Sequence, residues 1–186
     1  VQCIGGSASA GLCEAGLIVL AGESRVVNAK ELSDEWDVVI GVPRDYDSPD
    51  AKEALEKEME NMDGFVDTGE SRGKEIAYNI VHKFLPAMVE EDLETIGDVI
   101  FDYRYNMGSN RNCAFMYPSL LDITEKVRPL KENQDVEVLS VSSVGPGIFA
   151  ISKNVEKAKQ RFEEIGLDVY EANIDNQDYR VVDSSE

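Results

Sequence analysis

The sequence predicts an α+β fold, an antiparallel sheet covered by helices, and three observations carry that expectation. Short runs rich in β-branched residues, such as WDVVIGVP and VEVLSVSS, stand on either side of the middle of the chain. Between them lies a long stretch whose apolar residues recur three to five apart, the stripe of helices that face a core. The elements follow one another as strand, helices, two adjacent strands, helix and strand, an order that suits helices packed on one face of a sheet.

The elements can be justified in turn. The chain opens on VQCIGGSASAG, with no initiator methionine and a glycine-rich loop almost at once, which points to the later part of a longer polypeptide. GLIVLAGESRVV then reads as two short strands turning at Gly22 to Ser24, a hairpin signal, and NAKELSDE as a polar link. WDVVIGVP is a buried strand closed by Pro43. In DYDSPDAKEALEKEMENM, Ser48 is the expected N-cap and Pro49 the first helical residue, with acids filling the first turn. From Ser71 onward Ile76, Ile80, Phe84 and Met88, then Leu93, Ile96 and Ile100, make an apolar stripe. Pro86 and the acidic corner after it argue for two helices meeting near Val89 to Asp92. YPSLLDITEKVRPL is a further short helix ended by Pro129. VEVLSVSS alternates Val136, Val138 and Val141 with polar residues, and GIFAIS is its partner strand across a glycine turn. NVEKAKQRFEEIGL is a helix capped by Asn154 and stopped at Gly166; DVYEANI is a strand, and YRVV a last edge strand. The sum is a ferredoxin-like sandwich.

Composition excludes several classes. At 186 residues with 42% apolar content the chain can bury a real core. No apolar run approaches the roughly 20 residues needed to span a bilayer, and no basic-then-apolar leader opens the chain, so the expectation is a soluble, cytoplasmic protein. The formal charge of −19, with basic residues scattered, excludes nucleic acid and anionic membranes as partners; a homodimer stays open. The three cysteines lack the spacing of a zinc or disulfide framework. His82 is the only histidine, so a histidine-based metal centre or triad has one side chain to rest on. No metal site is assigned.

Two loops carry candidate chemistry, IGGSASAG and SSVGPG. Both place small residues side by side, where successive backbone N–H groups form a concave anion site and serine hydroxyls add donors. Gly5, Gly6, Ser7 and Ser9 in the first, and Ser142, Ser143, Gly145 and Gly147 in the second, are the candidate ligands of a phosphate-bearing substrate. The plain alternative is that each loop merely connects two strands. Arg104 and Arg111 could face the same anion, since a guanidinium holds phosphate or carboxylate through paired hydrogen bonds; Arg104 is the one assigned. Tyr103, Tyr105, Phe115 and Tyr117 nearby could stack on a ring or simply pack. No acid is singled out by spacing, so the catalytic acid or base is unassigned.

SSVGPGIFAIS resembles the third signature of the GHMP small-molecule kinase superfamily. HKFLPAMVEEDLETIGDVI resembles the helix pair of an archaeal branch, the β-ribofuranosylaminobenzene 5′-phosphate (β-RFAP) synthases of methanopterin biosynthesis. GGSASAGLCEAGLIVLAG and VVIGVPRDYDSPDAKEALEKEM look like that branch's glycine–serine loop and its strand, proline and acidic helix, so the resemblance covers most of residues 5–152 in the same order. It implies that residues 34–186 are a C-terminal domain of GHMP kinase type, preceded by residues 1–33, the terminal hairpin of an N-terminal nucleotide- or phosphate-binding domain that is otherwise missing. The superfamily's main phosphate loop would precede Val1, so this chain alone is expected to be inactive and to bind no cofactor, whereas the full-length enzyme would use Mg²⁺. Where kinase members place an acid after a Ser-Gly-Ile step, this chain reads Ser9-Ala10-Gly11-Leu12, although Glu14 lies close by. That departure favours the synthase branch, which joins phosphoribosyl pyrophosphate to a benzoate-type acceptor with loss of carbon dioxide and pyrophosphate. The alternatives are an ATP-dependent kinase of a sugar or other alcohol, and a non-catalytic ferredoxin-like binding or dimerising module. On the enzyme reading, Gly145→Val removes phosphate binding and leaves the fold intact.

Overall fold

A computed structural model describes residues 16–20 and 25–177 of the chain, which divides into two compact units, one of residues 1–35 with 173–186 and one of residues 36–172. Among the described residues no helix is long and apolar enough to cross a membrane.

In the first unit, β1 (Leu17–Leu20) and β2 (Val26–Lys30) pair antiparallel, Leu17 opposite Lys30, with an irregularity at Val19–Leu20. The two strands pair as expected, the turn at Gly22 to Ser24 lying outside the described residues, but the second strand takes in Asn28 to Lys30, which the sequence assigns to a polar link. Beyond it the Asn176 side chain receives the Leu32 amide at 3.1 Å and donates to the Leu32 carbonyl at 2.6 Å. YRVV lies outside the described residues.

The second unit is built on β3 (Asp37–Pro43), β4 (Val138–Val141), β5 (Ile148–Ser152) and β6 (Leu167–Asn173). Their order in the sheet is β4-β5-β3-β6. β5 is antiparallel to both neighbours, with Ile148 opposite Gly41 on one side and Val141 on the other. Strand, helices, strand, strand, helix, strand is the split βαβ arrangement that the sequence predicts, and the fold is α+β. β4 is buried along its whole length, so it carries apolar residues at nearly every position instead of alternating; Val136 lies before the strand. Phe162, Leu139, Ile148, Leu120 and Leu167 fill the core, each stabilising the fold by about 1.5–3 kcal/mol relative to exposure.

The helical layer departs from expectation in its boundaries. α1 (Ala51–Glu60) is capped by Asp50, not Ser48: its carboxylate accepts from the Lys52 and Glu53 amides, both at 2.9 Å. A carboxylate is the stronger acceptor for two amides at once, and it moves the start beyond Pro49. α2 (Met62–Asn79) begins well before Ser71 and runs through a widened turn, Ile80–Phe84, into α3 (Leu85–Glu90). Pro86 therefore sits inside a continuous helix. The widened turn, in which the Leu85 amide reaches the Ile80 carbonyl, re-spaces the ladder just where proline supplies no donor. Glu91, in the left-handed region at φ 59°, ends α3, and Asp92 caps α4 (Leu93–Phe101), so the two helices do meet where the sequence places their corner. A second widened turn, Asp102–Asn106, follows α4 and leads through Gly108 to the short α5 (Ser109–Asn112). α6 (Leu120–Val127) ends just before Pro129, as the sequence predicts, and Pro129 opens a further short helix, α7 (Pro129–Glu132). α8 (Glu156–Glu164) has Val155, not Asn154, at its N-cap; Asn154 lies one residue earlier, where its side chain still accepts the Glu156 amide at 3.1 Å.

Candidate functional site

The site is a turn between two buried strands. After Val141 the chain leaves β4, and Ser142 donates its amide to the Gly147 carbonyl at 2.8 Å, continuing the ladder by one rung. The Gly145 amide returns to the Ser142 carbonyl at 2.8 Å and closes the turn. Ser143 lies at φ 50° and Gly145 at φ 89°, and the Gly145–Pro146 peptide is cis. Glycine meets the second demand freely; a serine in the left-handed region is uncommon and is held there by its surroundings. Ser142 and Ser143 are exposed while Pro146 is buried, so the turn is anchored at its base and open at its tip. Among the described residues the hydroxyls of Ser142 and Ser143, and the amides of Ser143 and Val144, make no hydrogen bond.

The anchoring comes from the widened turn after α4. The Arg104 guanidinium donates to the Val141 carbonyl at 3.0 Å, to Ser109 Oγ at 3.3 Å and to Cys113 Sγ at 3.7 Å. Cys113, fully buried, in turn donates to the Ser143 carbonyl at 3.9 Å. Burial pushes the Cys113 thiol above its ordinary value, and the Arg104 charge offsets this only in part, so the thiol stays neutral. The structure thus brings Arg104 together with Ser142, Ser143, Gly145 and Gly147, but it turns the guanidinium towards the protein's own carbonyl. Gly145 is also tighter than the sequence suggests: a Cβ there would lie 3.1 Å from Leu120 Cδ2, at a backbone angle that side chains rarely adopt. Gly145→Val strains the fold itself, which corrects the expectation that it is a clean test of binding. Gly147 is open, with only Ser142 Cβ at 3.9 Å.

Gly5, Gly6, Ser7 and Ser9 lie outside the described residues. Of the aromatic candidates, Tyr105 stacks on Phe101 at 4.3 Å, its hydroxyl on the Thr124 carbonyl and its pKa raised by burial; Tyr117 bonds Asp45 at 2.6 Å and packs on Tyr46. Both rings pack against a neighbouring ring. His82 is exposed beside Tyr78. Ser109 and Cys113 are structural partners, and Asn110 is buried beside them, none of which the sequence singles out: the run GSNRNC reads as an ordinary polar loop, and no sequence signal marks its middle as buried.

No family model matches this chain, and no curated protein matches it. Solved structures that it resembles include a protein described as homoserine kinase thrB of Listeria monocytogenes, at 16% identity over 90% of this chain and 52% of that one, with a TM-score of 0.49. Another is the homoserine kinase of Cytophaga hutchinsonii, at 17% identity over 88% and 50%, TM-score 0.49. A third is described as MDDEF in complex with MVAPP, AMPPCP and magnesium, at 13% identity over 84% and 51%, TM-score 0.49. The chain spans about half the length of each of these structures.

Proposed function

We propose that this chain is the C-terminal portion of a phosphate-handling transferase of the GHMP kinase superfamily, and specifically of a β-RFAP synthase-like enzyme. Such an enzyme joins phosphoribosyl pyrophosphate to a 4-substituted benzoate. The bond between the ribosyl carbon and the diphosphate oxygen breaks, a carbon–carbon bond to the aromatic ring forms, and the ring carboxyl leaves as carbon dioxide. The single observation that supports this reading is the Ser142–Gly147 turn, whose two hydroxyls and two amides have no partner among the described residues while its base is pinned by Arg104.

In that reaction negative charge accumulates on the departing diphosphate. Pre-positioned N–H and O–H donors stabilise such charge without reorganising at the moment of reaction. Ser142 and Ser143 would hold diphosphate oxygens at the tip of the turn. Arg104, committed to the Val141 carbonyl, is a positioning residue that keeps the strand end and the turn in place. Mg²⁺ would neutralise diphosphate charge when bound. Among the described residues no group of three or more histidine, cysteine or acidic side chains is arranged to hold it, so no step is derived through the metal.

Turnover by the whole protein carrying this chain tests the reading. Release of pyrophosphate and carbon dioxide from phosphoribosyl pyrophosphate that depends on a 4-substituted benzoate supports it. ATP turnover with no benzoate dependence refutes the synthase assignment in favour of transfer to an alcohol, and inertness to both leaves a binding module.

A further inference from the structure

We infer that the outer face of α1 and α2 docks a basic amphipathic helix of a partner protein, which lays its apolar side on an exposed stripe and its cationic side chains on an adjoining row of acids. The stripe is Leu55, Met59, Met62, Val66, Gly69 and Gly73, alternately four and three residues apart, the spacing of a helical seam that meets a second helix. Leu55 and Met59 lie on α1 and the others on α2, with Asn61 as the one step between the two helices.

Exposure sets this stripe apart. Leu55 is 56% exposed, Met59 68%, Met62 47% and Val66 50%. The fold uses another side of the same helix: Phe65 packs on the core, and the Gly64 carbonyl and Thr68 hydroxyl receive the Asn112 amide. A single exposed apolar side chain is ordinary on any surface. Here, however, most of the exposed large ones among the described residues fall between Leu55 and Val89, and four of them recur at seam spacing, which marks an interaction surface. At Gly69 and Gly73 a Cβ would meet nothing within 4 Å, so a second backbone can approach closely there.

Charge selects the partner. Glu60, Asp63, Asp67 and Glu70 each directly follow a stripe residue, so they form a parallel row about 100° round the helix. All four are exposed, and none has an ion-pair partner among the described residues. The cations of these helices are mostly held by other acids, Lys52 by Glu56, Lys57 by Glu53 and Arg72 by Glu75, while Lys74 stands at the end of the row. A helix with lysine or arginine along one flank complements this face, and an acidic one is repelled by it. A second copy of this chain is the wrong occupant. Antiparallel pairing would set the two acid rows against each other, and each copy brings a formal charge of −19. None of this depends on whether the Ser142–Gly147 turn binds phosphate.

The test is titration calorimetry of the whole protein carrying this chain with a synthetic peptide of three heptads, leucine at its a and d positions and lysine at its e and g positions. Saturable binding is expected. A peptide of the same composition with its leucines scattered round the helix, and one with glutamate in place of lysine, should each bind at least about tenfold more weakly. Met59→Gln together with Val66→Gln changes only exposed side chains, and should weaken the lysine peptide by about tenfold or more. Asp67→Asn together with Glu70→Gln should weaken it by about threefold or more and flatten its dependence on salt. Equal binding of either control peptide, or an affinity that either pair of substitutions leaves unchanged, would overturn the inference. So would an absence of saturable binding, as when another part of the polypeptide covers the stripe, or a parent that sediments as a dimer which Met59→Gln with Val66→Gln dissociates.

Discussion

Gly97→Ala separates local propensity from packing, because the two predict opposite signs. Gly97 lies inside α4, where alanine is the better helix former by about 0.5–1 kcal/mol. The structure opposes the change. A Cβ at Gly97 would stand 1.8 Å from the Glu137 carbonyl oxygen, 2.7 Å from its carbon and 3.1 Å from Val138 Cα, all of them backbone atoms. Carbon and oxygen in close contact normally lie about 3.3–3.6 Å apart, so α4 must retreat from β4 by roughly 1.5 Å. That retreat loosens the buried Leu93, Ile96 and Val99 together. Overpacking of this kind costs about 1–3 kcal/mol or more, and with rigid backbone on the far side we expect about 3 kcal/mol net. Urea unfolding followed by circular dichroism would read this as a midpoint lowered by about 1–2 M. A midpoint equal to or above that of the parent would refute the direct seating of α4 on the backbone of β4, and with it the means by which the helical layer fixes the strand that leads into the turn.

Three further outcomes are expected. Asp92→Ala removes the cap of α4 and should cost about 1 kcal/mol at neutral pH. Bonds from the Thr95 hydroxyl and then its amide hold the Asp92 carboxyl below the usual range, so its contribution is present above the unfolded value of about 4 and lost as pH falls through the folded value. The deficit of the variant, measured by urea unfolding at several pH values, should therefore narrow below about pH 4; a deficit constant with pH contradicts the capping account. Cys113, buried with its thiol pKa raised, should react with a thiol reagent at pH 8 far more slowly in the folded protein than in urea, as peptide mass spectrometry would resolve; equal rates contradict its burial under the turn. Arg104→Met keeps the stem and removes the donors, and loss of the charge-assisted bond to the Val141 carbonyl should cost about 1.5–3 kcal/mol in urea unfolding; a change within error would show that the guanidinium does not pin the strand.

Much of the sheet was legible because DVVIGV, VLSV and IFAIS are short, β-branched and bounded by proline, glycine or serine, signals that depend on neighbours in sequence. The corner at Glu91–Asp92 was legible for the same reason, an acidic break followed by a capping side chain. The helix from Met62 was missed because Gly64, Gly69 and Gly73 weaken its propensity, whereas its place is fixed by tertiary contacts such as Asn112 donating to the Gly64 carbonyl at 2.8 Å. The widened turns at Ile80–Phe84 and Asp102–Asn106 leave no pattern of their own. The second of them decides where Arg104 points, so the arginine could be named from sequence but its partner could not. Asn110 was invisible for a different reason: a buried polar side chain and a solvated one are the same letter, and only the packing of α5 against α6 tells them apart.

The most direct test of the account is a titration of the isotope-labelled protein with pyrophosphate, in the parent and in Ser143→Gly. That substitution relieves a strained φ and removes one of the two free hydroxyls, so folding should be unharmed while binding weakens. The account predicts saturable shifts centred on the Ser143 and Val144 amides, reduced by about tenfold in affinity in the variant. Shifts that avoid this turn, or an affinity that Ser143→Gly leaves unchanged, would contradict the claim that the bend between β4 and β5 is built to hold a phosphate.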